Sequence, residues 1–310
     1  MVVAAVGSIY YPPFCYGFTN LFLAILLLIL TVLVTVGIRW RDNYAVCTSY
    51  QIMFGISVFD IIQLVEHLFS GIVLMLEWDI PKTLNYILGA VMSGAWMSLN
   101  VLGIFLAVHR MISLAYPLEE QRLFSGMKKT ILFAVAFSVF PIYTGLQLSV
   151  WTRYQFTREK FMWEYDPSLP LSAVFQKIDD YTVVVFLIFA GICYSIIFYI
   201  MTRGQIDKRK ERAFTVQVFV YCLFCALSFC LWQFIDPIVQ PKPISNFWTS
   251  LPWIFWNGAH AIICMVFNKS IRETVLRIVL CKMWTCKIEK TTSSGRKKCS
   301  LMHVRSSISP

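Results

Sequence analysis

Charge is what this sequence has least of. Asp, Glu, Lys and Arg make up 14% of its 310 residues, against 58% hydrophobic residues. A soluble domain carries about 25% charged residues and about 45–50% apolar ones. That shortage, with a mean hydropathy of +0.65, excludes an ordinary water-soluble fold. Catalytic signatures are missing too. Neither His-Glu-x-x-His nor Gly-x-Ser-x-Gly occurs, so nothing points to an enzyme. His109 and His260 have no second ligand at metal spacing, so neither a metal nor another cofactor is expected. Residues 248–267 contain no Lys, which removes the Schiff base that a retinal pigment needs. Of the 10 cysteines, only Cys15 falls in a segment expected outside the membrane on the outer side, so no disulfide between outer loops is expected. Cys222 and Cys225 form a CxxC with no second pair near it and read as small apolar packing.

The apolar residues come in blocks. Runs of span length cover about 18–38, 50–76, 86–108, 130–150, 181–201, 213–239 and 247–267. A bilayer core about 30 Å thick needs roughly 20 apolar residues in a helix. The runs are too long, and alternate too little, for the strands of a membrane barrel. They predict an all-α, integral seven-transmembrane bundle over residues 18–267. Nothing basic precedes the first run, and Arg39 and Arg41 follow it, so it reads as an uncleaved signal-anchor. Residues 1–17 read as an extracellular tail, 268–285 as a helix on the membrane surface, and 286–310 as a basic cytoplasmic tail. No repeat relates the two halves, which argues against the alternative of a seven-helix transporter or channel.

Charge asymmetry orients the bundle. One set of loops and the C-terminal tail hold 21 of the 27 Lys and Arg, and the opposite set holds six. The positive-inside rule makes the first set cytoplasmic and puts the N-terminus outside. The net charge of +10 is therefore a topology signal, and no nucleic acid partner is expected. The basic tail suits anionic membrane lipid. Cys281 and Cys286, with Cys299, follow the last span and are palmitoylation candidates. The sequon at Asn268 faces the cytosol in this orientation and reads as a decoy.

Ionisable residues inside spans are costly, so they are functional candidates. Asp60, Gln63 and His67 are spaced to share one face of the second helix. They form either a buried polar or cation site or a hydrogen-bonded packing cluster, with Ser98 and Asn100 of the third helix as possible partners. Glu66 lies off that face. His109 and Arg110 end the third helix at the inner side. Arg110 there either snorkels to the interface or exchanges partners as a switch. Trp78, Trp151, Trp248 and Trp253 lie near outer boundaries and suit an aromatic belt. Trp96, Trp232 and Trp256 lie deeper and are candidates for the wall of an apolar ligand pocket. A helix is expected from Lys269 to about Trp284, because Ile271, Val275, Ile278 and Val279 recur at helical spacing.

Several motifs carry a resemblance. Tyr50 to Met53 opens the second helix, Asp60 follows, Trp96 sits in the third helix, and Ala107 to Arg110 ends it. Trp163 to Pro167 reads WEYDP, and Trp256 to Arg272 reads WNGAHAIICMVFNKSIR. Together these resemble the nematode serpentine chemosensory receptors of class t, within the rhodopsin-like superfamily, over nearly the whole chain. The resemblance implies a receptor that binds an external small molecule and signals to a heterotrimeric G protein through Arg110, His109 and Arg272. It implies a multi-pass protein of the plasma membrane, in the sensory cilium of a neuron. The chain departs from the family pattern at His109, where Asn is usual, and at Asn257, His260 and Cys264. The family's Cys at the top of the third helix is also absent.

Overall fold

The computed structural model describes residues 13–40, 44–45, 47–203, 208–235 and 242–280. Cys281, Cys286 and Cys299 lie outside them. The long helices are α1 (Pro13–Arg39), α2 (Thr48–Leu76), α3 (Lys82–Ala115), α5 (Gly126–Gln147), α6 (Ser172–Thr202), α7 (Lys208–Cys230) and α8 (Lys242–Phe267). A short α4 (Pro117–Leu123) joins α3 to α5, and α9 (Lys269–Val279) follows α8. Of the seven long helices, all but α7 are long and apolar enough by themselves to cross a membrane. The remaining crossing is α7 continued by a π-helical turn, Leu231–Ile235, with an apolar stretch at Phe219–Phe234. The expected seven-helix, all-α bundle is thus the one observed.

The packing is inverted relative to a soluble protein. Phe14, Phe18, Phe22, Ile25 and Ile29 form an exposed apolar stripe along α1, while Asp60, Gln63, Ser98, Asn100 and Asn257 are fully enclosed. That arrangement suits a lipid solvent, which cannot satisfy polar groups. Helix α3 sits centrally and packs against α2, α5 and α6. Helices α1 and α2 approach closely at Gly17 and Gly71. A Cβ on Gly17 would lie 2.6 Å from the Gly71 carbonyl oxygen, so small residues set that contact.

Between α5 and α6 stands a two-stranded antiparallel hairpin, β1 (Tyr154–Thr157) and β2 (Met162–Tyr165). The register pairs Tyr154 with Tyr165 and Phe156 with Trp163, so all four aromatics share one face. That face turns onto the bundle, where Phe156 and Trp163 are buried.

Helix α9 begins at Asn268, whose side-chain oxygen accepts the Ile271 N–H at 3.1 Å, an N-cap that gives Asn268 a structural role. Ile271 and Val275 are buried, and Val275 fits against Gly37 of α1. Leu276 and Val279 are exposed on another edge.

Candidate functional site

A cavity of about 430 Å³ opens beneath the hairpin. That is within the range of small-molecule sites, about 300–1,000 Å³. The hairpin is its roof. Asn85 of α3 clamps the roof from below: its amide donates to the Phe156 carbonyl at 2.9 Å, and its oxygen accepts the Phe156 N–H at 2.8 Å. Gly89, one turn on, lets the strand approach, because any Cβ there would overlap the Tyr154 carbonyl. Asn246 of α8 donates to the Lys160 carbonyl at 2.8 Å. Arg158 bonds the Glu77 carbonyl and pairs with Asp79 at 3.0 Å. Arg153 lies 3.7 Å over the Tyr86 ring and 3.5 Å from Asp166. The Ser168 hydroxyl and N–H, together with Arg153, hold the Asp166 carboxyl below its usual range. Hydrogen bonds and ion pairs therefore fasten this loop, which contains no Cys between residues 148 and 171.

The turn of the hairpin places Phe161 in the left-handed region, at φ 57°. A bulky residue there costs about 1–2 kcal/mol. Its ring packs 4.9 Å from Tyr16, which itself lies 4.4 Å from Phe247, so the roof locks onto α1 and α8.

The floor is built of indoles. Trp96 lies 5.1 Å from Trp256 and 5.7 Å from Trp253, ring centre to ring centre. Trp253 donates to Gln63 Oε1 at 3.3 Å and meets the His67 ring edge-on at 5.1 Å. Trp232 stands in the wall on the π-helical turn, 36% exposed. Such turns re-aim side chains and recur at functional sites. Trp96, Trp232 and Trp256 thus line one cavity. Trp253 joins them, and its place among the boundary tryptophans is corrected. It lies three residues before Trp256 on one helix face, a spacing that linear depth alone does not reveal.

A second polar set stands in the side wall. Tyr143 and Tyr165 donate to the two oxygens of Asp179 at 2.7 and 2.6 Å. Gln147 donates to Tyr165 at 2.8 Å, and Ser93 lies 3.2 Å from it. Burial and the Asp179 charge push the Tyr165 phenol far above its usual value, so it remains a donor. Asp179 and Tyr165 were not singled out in the sequence. Asp179 lies near one end of its span, where an acid reads as solvated.

The remaining candidates separate. Asp60, Gln63 and His67 do share one buried face of α2, but only His67 lines the cavity, with Gln63 joined to it through Trp253. Asp60 lies deeper, within electrostatic reach of Tyr221, Cys225 and Cys264. Neither of its oxygens has a hydrogen-bond partner among the described residues. Ser98 and Asn100 are therefore not its hydrogen-bond partners. They donate to their own helix, at the Gly94 and Trp96 carbonyls, 2.8 and 2.9 Å away, the ordinary habit of short polar side chains in helices. Asn257, beyond the floor on α8, is likewise enclosed, and neither of its side-chain heteroatoms has a hydrogen-bond partner among the described residues. His260 bonds Ser57 at 3.1 Å. No cluster of metal-ligating residues exists among the described residues.

At the opposite end, His109 ties three elements together. Its ring meets Ser49 of α2 at 3.1 Å and Glu120 of α4 at 3.3 Å, with Phe124 edge-on at 4.6 Å. Arg110 is only 9% exposed, so it lies among the helices and does not border water. Its charge reaches Tyr194 of α6. Arg272 donates to the Met265 and Val266 carbonyls at 3.0 and 2.8 Å, closing the end of α8.

The comparisons fit this geometry. A search of curated proteins finds no match. The family model described as serpentine type 7TM GPCR chemoreceptor Srt matches residues 10–288. That description is of a receptor and not of an enzyme. A bundle of membrane-spanning helices with a roofed aromatic cavity, matched by that model over nearly its whole length, belongs to the serpentine type seven-transmembrane chemoreceptor family Srt.

Proposed function

We propose that this chain binds an external small molecule in the cavity beneath the hairpin and signals to a heterotrimeric G protein at the end that carries Arg110. One observation carries the reading: α3 is continuous from Trp96 in the cavity floor to Arg110. At 1.5 Å per residue that is about 21 Å of rigid rod. A ligand that favours one packing of the floor would bias the packing around Arg110, and the coupling equals its differential affinity for the two states. Arg110 keeps its charge and offers five donors, which suits an exchange of partners. Arg272 and His109 hold neighbouring elements at that end. Asp60, buried and without a hydrogen-bond partner among the described residues, suits a polar or cation site whose occupancy differs between states. The protein would sit in the plasma membrane with its N-terminus outside, in the cilium of a sensory neuron.

The test is a screen of water-soluble and volatile chemicals on cells expressing the chain, read out by second messenger. A ligand should raise a G protein-dependent signal that a cavity-blocking Ser228→Trp abolishes. A ligand-gated current in the absence of any G protein would replace this reading with a channel.

A further inference from the structure

We infer that the cavity takes a small organic cation, an amine or quaternary ammonium on an apolar body, and that Asp179 is its counter-charge. The inference rests on the reading of this cavity as the ligand site.

Asp179 lines the cavity and is 8% exposed. Each of its oxygens accepts one phenol, at 2.7 and 2.6 Å, and keeps a further lone pair. The phenols are themselves fixed: Tyr165 by Gln147 and Ser93, Tyr143 by its place on α5. Four elements, α3, α5, β2 and α6, thus hold one carboxylate in place. Among the described residues no Lys or Arg forms an ion pair with it. A buried charge without a counter-charge is strongly unfavourable, and a cation in the cavity would supply one.

The rest of the lining agrees. Trp96, Trp253 and Trp256 enclose the floor, and indole faces attract cations within about 6 Å. Asn20 Oδ1 is buried in the lining without a partner among the described residues and offers a second acceptor. The one described Lys in the lining, Lys160, is half exposed and already paired with Glu164 at 2.8 Å. An anion would therefore meet Asp179 and find no unpaired described Lys or Arg to receive it.

The test uses the full chain purified in lipid nanodiscs. Matched probes are phenethylammonium against phenethyl alcohol, and benzyltrimethylammonium against neopentylbenzene. Affinities come from the ligand-dependent shift of the thermal unfolding midpoint. In the parent protein each cation should bind at least about tenfold more tightly than its neutral partner. Asp179→Asn should weaken the cations by about 10- to 100-fold, as expected for a hydrogen-bonded charge, and leave the neutral probes unchanged. Equal binding of cation and neutral partner in the parent overturns the inference, and so does an absence of saturable binding by either cation. The comparison within the parent decides even where Asp179→Asn fails to fold. Ser228→Trp and Ser70→Phe fill the cavity. If equal binding of the paired probes is lost in both filled variants, the cavity stands and only the cation preference falls. Binding that survives both filled variants overturns the cavity reading together with the inference.

Discussion

Asn85 does the work of a covalent link with two hydrogen bonds. A disulfide fixes a loop whatever the solvent, whereas the Asn85 clamp depends on both its donor and its acceptor facing one peptide unit. Asn85→Ala should lose both bonds and cost about 1–3 kcal/mol, at roughly 0.5–1.5 each. Asn85→Asp should also weaken the clamp, because a carboxylate cannot donate to the Phe156 carbonyl and would repel it. Thermal unfolding of the purified receptor and the rate of protease nicking near Lys160 measure both effects. Unchanged melting and nicking in Asn85→Ala would mean that Arg158 and Asn246 hold the roof alone. Arg110 poses a different question, because its 9% exposure means that truncation to Ala would open space between helices. Arg110→Gln removes the charge and keeps most of the stem. Ligand binding should persist, and the evoked signal should fall by about 5- to 150-fold, the usual span of coupling between sites. Signalling equal to the parent at equal surface expression would make Arg110 a packing residue.

The elements differ in how well the sequence announces them. The long helices are legible because a span needs a continuous apolar run and little else. The start of α9 is legible for a similar reason, since Ile271 and Val275 repeat every four residues. What that repeat does not say is where the face goes. In the structure it goes to α1 at Gly37. Ile271→Ala should therefore cost about 2–5 kcal/mol, the usual toll for a buried Ile. Leu276→Gln, on the exposed edge, should leave the unfolding midpoint unchanged in detergent. A larger loss at Leu276 than at Ile271 would reverse the assignment of faces. The hairpin was readable but short: Tyr154-x-Phe156 and Trp163-x-Tyr165 alternate as strands do, over too few residues to stand out beside seven spans. The π-helical turn under Trp232 was not readable, because one extra residue in a helical turn leaves no mark in composition. Nor was the pairing of Asp179 with two tyrosines. It joins β2, α5 and α6, and only the three-dimensional contact reveals that their polar groups converge.

At the scale of the whole molecule, the contacts sort the loops into two ends. Asn85, Phe156, Lys160 and Asn246 are joined by hydrogen bonds, which gathers the loop after α2, the hairpin and the start of α8 at one end. Ser49, His109 and Glu120 meet at the other, where Val275 of α9 also packs on Gly37. Among the described residues, Lys82, Arg153, Arg158, Lys160 and Lys177 belong to the cavity end, and Arg39, Arg110, Arg122, Lys128, Lys129, Arg203, Lys269, Arg272 and Arg277 to the Arg110 end. Short loops beside spans are where positive charge decides orientation. Three of the basic groups at the hairpin end are further offset by acids: Arg158 by Asp79, Arg153 by Asp166 and Lys160 by Glu164. The Arg110 end should thus face the cytoplasm, with its basic groups near anionic lipid, and the roofed cavity should face outward, where an external chemical arrives. An epitope inserted before Pro12 should be stained on intact cells, and one inserted after Ser300 should be stained only after permeabilisation. Both should hold in the Asn85→Ala variant, because the clamp shapes the roof and not the direction of insertion. The reverse staining pattern would turn the cavity toward the cytoplasm, and no external ligand could then reach it without crossing the membrane.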